Sequence, residues 1–368
     1  MSILALMYKK VFKPLAFFQD PEVVHDRILI LGKFLGRHKI FRIFISKILM
    51  FEHSMLKQTI LGIEFLNPIG LAAGFDKNAE LIQILPAVGF GFAELGSITG
   101  EECKGNDKPR LWRLLKSQSL VVHYGLKNDG CKAVSQKLKN QHSDIPLGIN
   151  IAKTNNRETV STEAGIADYV KAYKAFKNIG SYTTINISCP NAFGGQPFTD
   201  AVNLEMLLSQ IDYVPSQKPV FVKLSPDLNF VEIDTILQVL DRHKIAGIIC
   251  ANLTKNRDNH RIKDSNLPSQ GGLSGKVVEE LSNNLIAYIY KKTRGKYIII
   301  GCGGVFNASD AYKKIRLGAS LVQLITGMIF EGPQVIGEIN RGLVKLLHMD
   351  GFENISQAIG TDTVDLFE

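Results

Sequence analysis

From residue 68 onward, short apolar runs flanked by glycine alternate with longer stretches whose apolar positions recur at helical spacing. The short runs span 68–74, 90–96, 146–151, 183–188, 219–224, 246–251, 297–301 and 319–324, and each is apolar almost throughout. A strand with one wet face alternates, whereas a parallel strand covered on both faces reads as a continuous apolar run. Eight such strands separated by helices predict a (β/α)8 barrel of the TIM type. The span from 68 to about 345 suits the ~250-residue size of that fold with some loop insertion. An open doubly wound sheet is the alternative, but no G-x-G-x-x-G turn follows the first run.

The first 58 residues follow another pattern. Leu4, Met7, Tyr8, Val11, Phe12 and Leu15 recur at helical spacing, as do Ile40, Phe41, Phe44, Ile45 and Ile48. Both predict amphipathic helices, dividing the chain into an N-terminal helical module (1–58) and a barrel domain (59–368). Of the net charge of +8 over 368 residues, this module holds +6, from ten basic and four acidic side chains. Such a segment reads either as a helical hairpin packed on the barrel with a solvated basic face, or as a module with its apolar face toward an anionic membrane. The two are compatible. The basic residues are not interleaved with stacking aromatics, which disfavours nucleic acid as the partner. No run of 18 apolar residues predicts a spanning helix, and no secretory signal pattern is expected at the start. The five cysteines, at 103, 131, 189, 250 and 302, form no C-x-x-C pair. That argues against a disulfide framework, a zinc site or a cysteine-ligated cluster, and no metal is expected.

Chemistry in this fold collects at the C-terminal strand ends. The first strand ends in Ala72-Ala73-Gly74-Phe75-Asp76-Lys77 and the second in Gly96-Ser97. The third carries Asn150 and then Lys153, the fourth ends in Asn186-Ile187-Ser188-Cys189-Pro190-Asn191, and the fifth carries Lys223. The sixth ends in Asn252, the seventh runs into Gly301-Cys302-Gly303-Gly304, and the eighth into Thr326-Gly327. Glycines after the last two strands leave backbone N–H groups free to close on a phosphate. Asn150, Asn186, Asn191 and Asn252 offer donors and acceptors for a planar heterocycle, although a single Asn there is as readily a loop cap. A free Cys is ordinarily a small buried hydrophobe. Cys189, between two Asn residues at a strand end, is instead a candidate general base, with an ordinary thiol pKa near ~8.5. Lys223 would set positive charge beside an electron-rich ring, or pair with a neighbouring carboxylate.

These segments resemble the dihydroorotate dehydrogenase family. The resemblance rests on Leu71-Ala72-Ala73-Gly74-Phe75-Asp76-Lys77, Gly105-Asn106-Asp107-Lys108-Pro109-Arg110-Leu111 and Leu147-Gly148-Ile149-Asn150-Ile151. It extends to Gly271-Gly272-Leu273-Ser274-Gly275 and Gly301-Cys302-Gly303-Gly304. Phe17-Phe18-Gln19-Asp20-Pro21-Glu22, with His25 after it, is similar to the helical extension of the membrane-associated, quinone-reducing class, as is the tail Asp350-Gly351-Phe352-Glu353-Asn354-Ile355. The resemblance implies FMN across the barrel mouth, its phosphate on Gly303, Gly304, Thr326 and Gly327. It implies ring contacts from Ala72, Ala73, Ser97, Asn150 and Lys223, with Gly74 and Gly275 in the same cofactor set. Dihydroorotate would stack on the flavin, with Lys77 on its carboxylate and Asn186, Asn191 and Asn252 on its polar edge. A base removes the C5 proton, hydride passes from C6 to flavin N5, and a quinone entering between the N-terminal helices takes the electrons. A peripheral membrane protein is expected, on the cytoplasmic face of the inner membrane if the source is bacterial.

The chain departs from the quinone-reducing class at several positions. That class uses Ser as base; Cys189, within Asn-Ile-Ser-Cys-Pro-Asn, is similar to the soluble class. Leu126 and Ala192 stand where the quinone class has Phe and Thr, and the three changes read as concerted. Val122 replaces a substrate-binding Asn, with His123 beside it as a candidate substitute, and Leu253 replaces a small hydroxyl residue. The competing expectation is a Cys-base FMN barrel with a soluble acceptor (fumarate or NAD) or another dihydropyrimidine substrate. The oligomeric state is left open.

Overall fold

The computed structural model describes residues 2–363. All eight anticipated strands form: β1 (Ile69–Leu71), β2 (Phe92–Ile98), β3 (Leu147–Ile151), β4 (Tyr182–Asn186), β5 (Val220–Leu224), β6 (Gly247–Cys250), β7 (Ile298–Cys302) and β8 (Leu321–Leu324). They pair in parallel and in sequence order, and β8 returns to β1 to close a barrel. Nearly every strand residue is buried, which is why each reads as an unbroken apolar run.

The barrel interior is filled by pairing a missing side chain with a large one. A Cβ on Gly70 would lie 2.4 Å from the Phe92 ring, one on Gly148 2.2 Å from that of Tyr182, and one on Gly247 2.3 Å from that of Phe221. These rings, with Phe65, Ile249, Ile300 and Leu321, form a cluster at the N-terminal end of the barrel. The antiparallel hairpin Gln58–Ile60 and Ile63–Phe65 lies against it. Above this floor sits a polar layer. Buried Glu94 accepts from Asn150 Nδ2 (2.6 Å) and Gln323 Nε2 (2.7 Å), and Ser97 donates to Asn150 Oδ1.

Two additions cover the mouth. Strands Leu111–Leu114, Ser119–Val122 and Gly272–Leu273 form a small antiparallel sheet. The N-terminal segment is helical, as its periodicity predicts, but in more pieces than a hairpin. Ile3–Met7, a π-helical stretch Tyr8–Phe12 and Lys13–Phe18 precede α1 (Pro21–Arg37) and α2 (Lys39–Leu49). Asp20 caps α1 by accepting from the Glu22 and Val23 amides, with Pro21 at the first helical position. No helix among the described residues is long and apolar enough to cross a membrane.

Candidate active site

A cleft of about 1270 Å³ opens at the C-terminal ends of the barrel strands. Its walls include Ala72, Ala73, Gly74, Lys77, Ser97, Asn186, Cys189, Asn191, Lys223, Asn252, Gly275, Gly303, Gly304, Thr326 and Gly327, so fifteen candidates from the ends of seven of the eight strands, and the loops after them, converge. Two candidates lie elsewhere. Asn150 is fully buried one layer below, held between Glu94 and Ser97. His123 is not among the lining residues. Leu120, Val122 and Tyr124 line the cleft at the two-residue period of an extended chain, which turns His123 to the opposite face. There it meets Asn106 Nδ2 at 3.2 Å.

One end of the cleft is built of bare backbone. A Cβ on Gly327 would sit 1.9 Å from the Val305 carbonyl oxygen, and one on Gly304 2.4 Å from Glu279 Cβ, with φ of +75° besides. Only glycine fits either position, and their amides border the opening beside Ser274 and Thr326, whose hydroxyls are hydrogen-bonded at 2.8 Å. Such a cradle suits a phosphate.

The middle of the cleft is set by strand register. Asn186 and Lys223 are direct neighbours across β4 and β5. Lys223 is only 3% exposed, yet among the described residues its ammonium has no hydrogen bond or ion pair, leaving a cation aimed at whatever fills the cleft. Asn186 donates to Ser97 Oγ (2.9 Å) and accepts from Ser188 Oγ (2.9 Å). Asn252 donates to the Ser188 carbonyl (3.0 Å), and Asn191 to the Val122 carbonyl (2.8 Å). The amides are thus fixed in orientation by one another and by the strand ends.

At the outer edge, Lys77 lies 4.1 Å over the Tyr124 ring, and Arg110 stacks on the same ring at 5.2 Å. Desolvation, with Lys127 nearby, brings the Lys77 ammonium down to about 8. Like Lys223, it makes no ion pair among the described residues; an anion in the cleft would relieve both. Tyr124, Arg110 and the buried Glu22 behind them were not anticipated, since their contacts join α1 to loops about 90–100 residues away. Arg110 Nη2 donates to Glu22 at 2.8 Å.

Cys189 lines both this cleft and a smaller cavity behind it. The surface it exposes faces protein cavities rather than bulk solvent, and burial pushes its thiol up to about 11. The expectation of a thiol close to its ordinary pKa is therefore corrected: the fold favours the protonated form, against which the Asn191 backbone hydrogen bond and then Lys255 and Lys153 act.

A further cavity of about 1380 Å³ lies between the N-terminal helices and the mouth, lined by Tyr8, Phe12, Leu15, Val24, Ile28, Leu31 and Arg113 among others. His25, Phe75, Leu111, Leu120 and Ile329 line both this cavity and the cleft, so the two meet there. His25 stands edge-on to Phe75 at 4.8 Å. Burial and then Lys77 lower it to about 3, so it is neutral at physiological pH, and its Nε2 is buried without a partner.

The sequence pattern of the family described as dihydroorotate dehydrogenase matches residues 55–347, most of the chain. The chain belongs to the dihydroorotate dehydrogenase family. It is 35% identical to a dihydroorotate dehydrogenase (quinone) of Trichodesmium erythraeum, over 96% of this chain and 98% of that protein. It is 38% identical to one of Haloarcula marismortui, over 82% of this chain and 84% of that protein. Among solved structures, DHODH of Eimeria tenella in complex with ferulenol superposes with a TM-score of 0.82 at 29% identity, covering 98% of this chain and 99% of that one. The ligand-free form from the same organism gives 0.83 at 30% identity, covering 93% and 99%. The dihydroorotate dehydrogenase fold accounts for the closed barrel, and the likeness extends through the N-terminal helices.

Proposed function

We propose that this protein oxidises dihydroorotate to orotate with FMN and passes the electrons to a quinone, a step of pyrimidine synthesis. The observation that carries this reading is the junction of two cavities of opposite character. One is a cleft holding two unpaired lysines and fixed amides; the other is an apolar cavity under amphipathic helices. The lining of the first suits FMN: Gly303, Gly304, Thr326 and Gly327 would hold its phosphate, Ala72, Ala73 and Ser97 would face its ring, and Lys223 would offer positive charge to it. When bound, FMN supplies the hydride acceptor.

The chain's own residues perform the rest. Lys77 holds the substrate carboxylate, and Asn186, Asn191 and Asn252 orient the ring. Cys189, as thiolate, takes the C5 proton. Val122 and Leu253 make part of the cleft wall apolar, which favours one second reading, a dihydropyrimidine with a less polar edge.

The quinone would enter through the N-terminal cavity, where His25 Nε2 can meet one of its oxygens. Ile3, Phe12, Leu15, Phe18, Ile30, Ile40 and Phe44 are exposed on this module, among lysines and arginines. That surface suits peripheral attachment to an anionic membrane, on the cytoplasmic face of the inner membrane in a bacterium.

The test is anaerobic addition of dihydroorotate to the purified yellow protein. Bleaching of the flavin band, followed by its return on adding a quinone analogue but not fumarate or NAD, is expected. No bleaching rejects dihydroorotate; recovery with fumarate or NAD alone rejects the quinone.

A further inference from the structure

Lys153 lies just beyond β3 and is only 4% exposed. Its ammonium is held by neutral groups alone: the Thr159 hydroxyl (3.1 Å) and the carbonyls of Phe193 (3.2 Å) and Thr154 (3.3 Å). The carboxylate that acts on it, Asp168, does so without a direct ion pair among the described residues. It accepts from the Thr154 amide and hydroxyl, each at 2.7 Å, and from the Gly100 amide at 3.3 Å. Room for the lysine stem is left on the facing helix Thr162–Phe176 by Gly165, where a Cβ would come 3.1 Å from Lys153 Cδ. A buried cation with no direct ion pair among the described residues gains from each further negative charge near it.

The candidate for that negative charge is across a small cavity of about 260 Å³. Lys153 and Cys189 both line it, with Tyr169, Leu126, Ala192 and Phe198 completing most of the wall. Tyr169 turns its hydroxyl away, donating to the Asn186 carbonyl at 2.7 Å. The titratable groups acting on the Cys189 thiol are Cys103, Lys255 and Lys153, and those acting on Lys153 are Asp168, Cys189 and Cys103.

We propose that Lys153 is a positioning residue that stabilises the Cys189 thiolate across the small cavity that both side chains line. In this step the C5–H bond breaks, its proton bonds to Cys189 Sγ, and the electron pair stays on the substrate carbon for the hydride transfer. The thiol then gives that proton to a solvent water or hydroxide, and the thiolate re-forms facing the ammonium; Lys153 undergoes no net change. The inference rests on Cys189 being the base of the proposed reaction, but its physical content is the Lys153–Cys189 coupling.

That coupling is read without substrate. The flavin-loaded protein is alkylated with iodoacetamide across a pH series, and modification of the Cys189 peptide is followed by mass spectrometry. Lys153→Gln, which keeps hydrogen-bonding capacity but loses the charge, is expected to move the alkylation midpoint up by ~1 pH unit or more, the size of one close opposite charge. At pH 8 this slows modification ~10-fold. Lys153→Arg is expected to restore the parent profile, and Lys153→Met repeats the loss of charge in a different shape. An unchanged midpoint in both neutral variants overturns the proposal and leaves Lys153 as a pin for the loop carrying Phe193. Failure of dihydroorotate to bleach the flavin would leave this measurement untouched, so the two readings fail separately.

Discussion

Lys77 shows what the site lacks. Its ammonium is desolvated down to about 8 and makes no ion pair among the described residues. An anionic substrate held by it would raise that value, so binding would take up a proton as the pH approaches and exceeds 8. Affinity for dihydroorotate is therefore expected to be fully present below that pH and to decline as the pH rises through it. Lys77→Gln is expected to raise KM about 10- to 100-fold, the worth of a charged hydrogen bond of roughly 1.5–3 kcal/mol, and to abolish the alkaline decline. Steady-state kinetics from pH 6.5 to 9.5 check both. At this scale the sequence was legible where strand ends could be counted, and less so where side chains turn. Asn150 lies one layer too deep because Glu94 and Ser97 hold it there. His123 follows Val122 on an extended chain, so the alternation that puts Val122 on the cleft puts His123 away from it; that signal was present in the sequence.

At the scale of elements, the barrel strands were the clearest feature because burial on both faces leaves no polar position to confuse the pattern. The sheet over the mouth was not read. Leu111–Leu114 and Ser119–Val122 are four residues each and mix Arg113 and Ser119 with apolar neighbours, too short for periodicity to speak. Packing within the barrel makes its own prediction. Gly148→Ala would drive a methyl group into Tyr182. Overpacking of this kind costs ~1–3 kcal/mol. The expected signature in a thermal scan is a Tm lower by roughly 2–4 °C per kcal/mol, with the flavin still bound at low temperature. The N-terminal helices predict the opposite separation. Phe18 is 95% exposed and Ile40 74%. The double variant Phe18→Asp, Ile40→Asp is expected to keep its Tm and its flavin while losing most co-sedimentation with anionic vesicles. Undiminished co-sedimentation would remove membrane attachment from the role of this face.

For the whole molecule, two cavities that meet at one wall imply two half-reactions that can be separated. Ile329→Trp adds bulk at the junction, since Ile329 lines both cavities. Rapid-mixing measurements are expected to show flavin reduction by dihydroorotate within ~2-fold of the parent and reoxidation by a quinone slowed 10-fold or more, as for a step limited by access. Equal slowing of both would mean that the cavities are one site. Coupling also runs through Glu22. Burial alone would raise its carboxyl, but Arg110, Lys108 and Lys127 outweigh that and hold it below the usual range. The contact is therefore present at neutral pH and is lost as the pH falls through the depressed carboxyl value. Glu22→Gln strands Arg110 beside a neutral group; breaking a buried pair costs ~3–5 kcal/mol. A lower Tm is expected together with a higher KM for dihydroorotate, although Glu22 lines no part of the cleft.

That last contact gives the enzyme an interlock. Glu22 belongs to the N-terminal helices, Arg110 leans on Tyr124, and Tyr124 lies beneath Lys77. On the proposed roles of the two cavities, lifting the helices would loosen Lys77 in the same motion that opens the apolar cavity. A bound flavin would then not be charged with electrons at the moment when dioxygen is the nearest place to lose them.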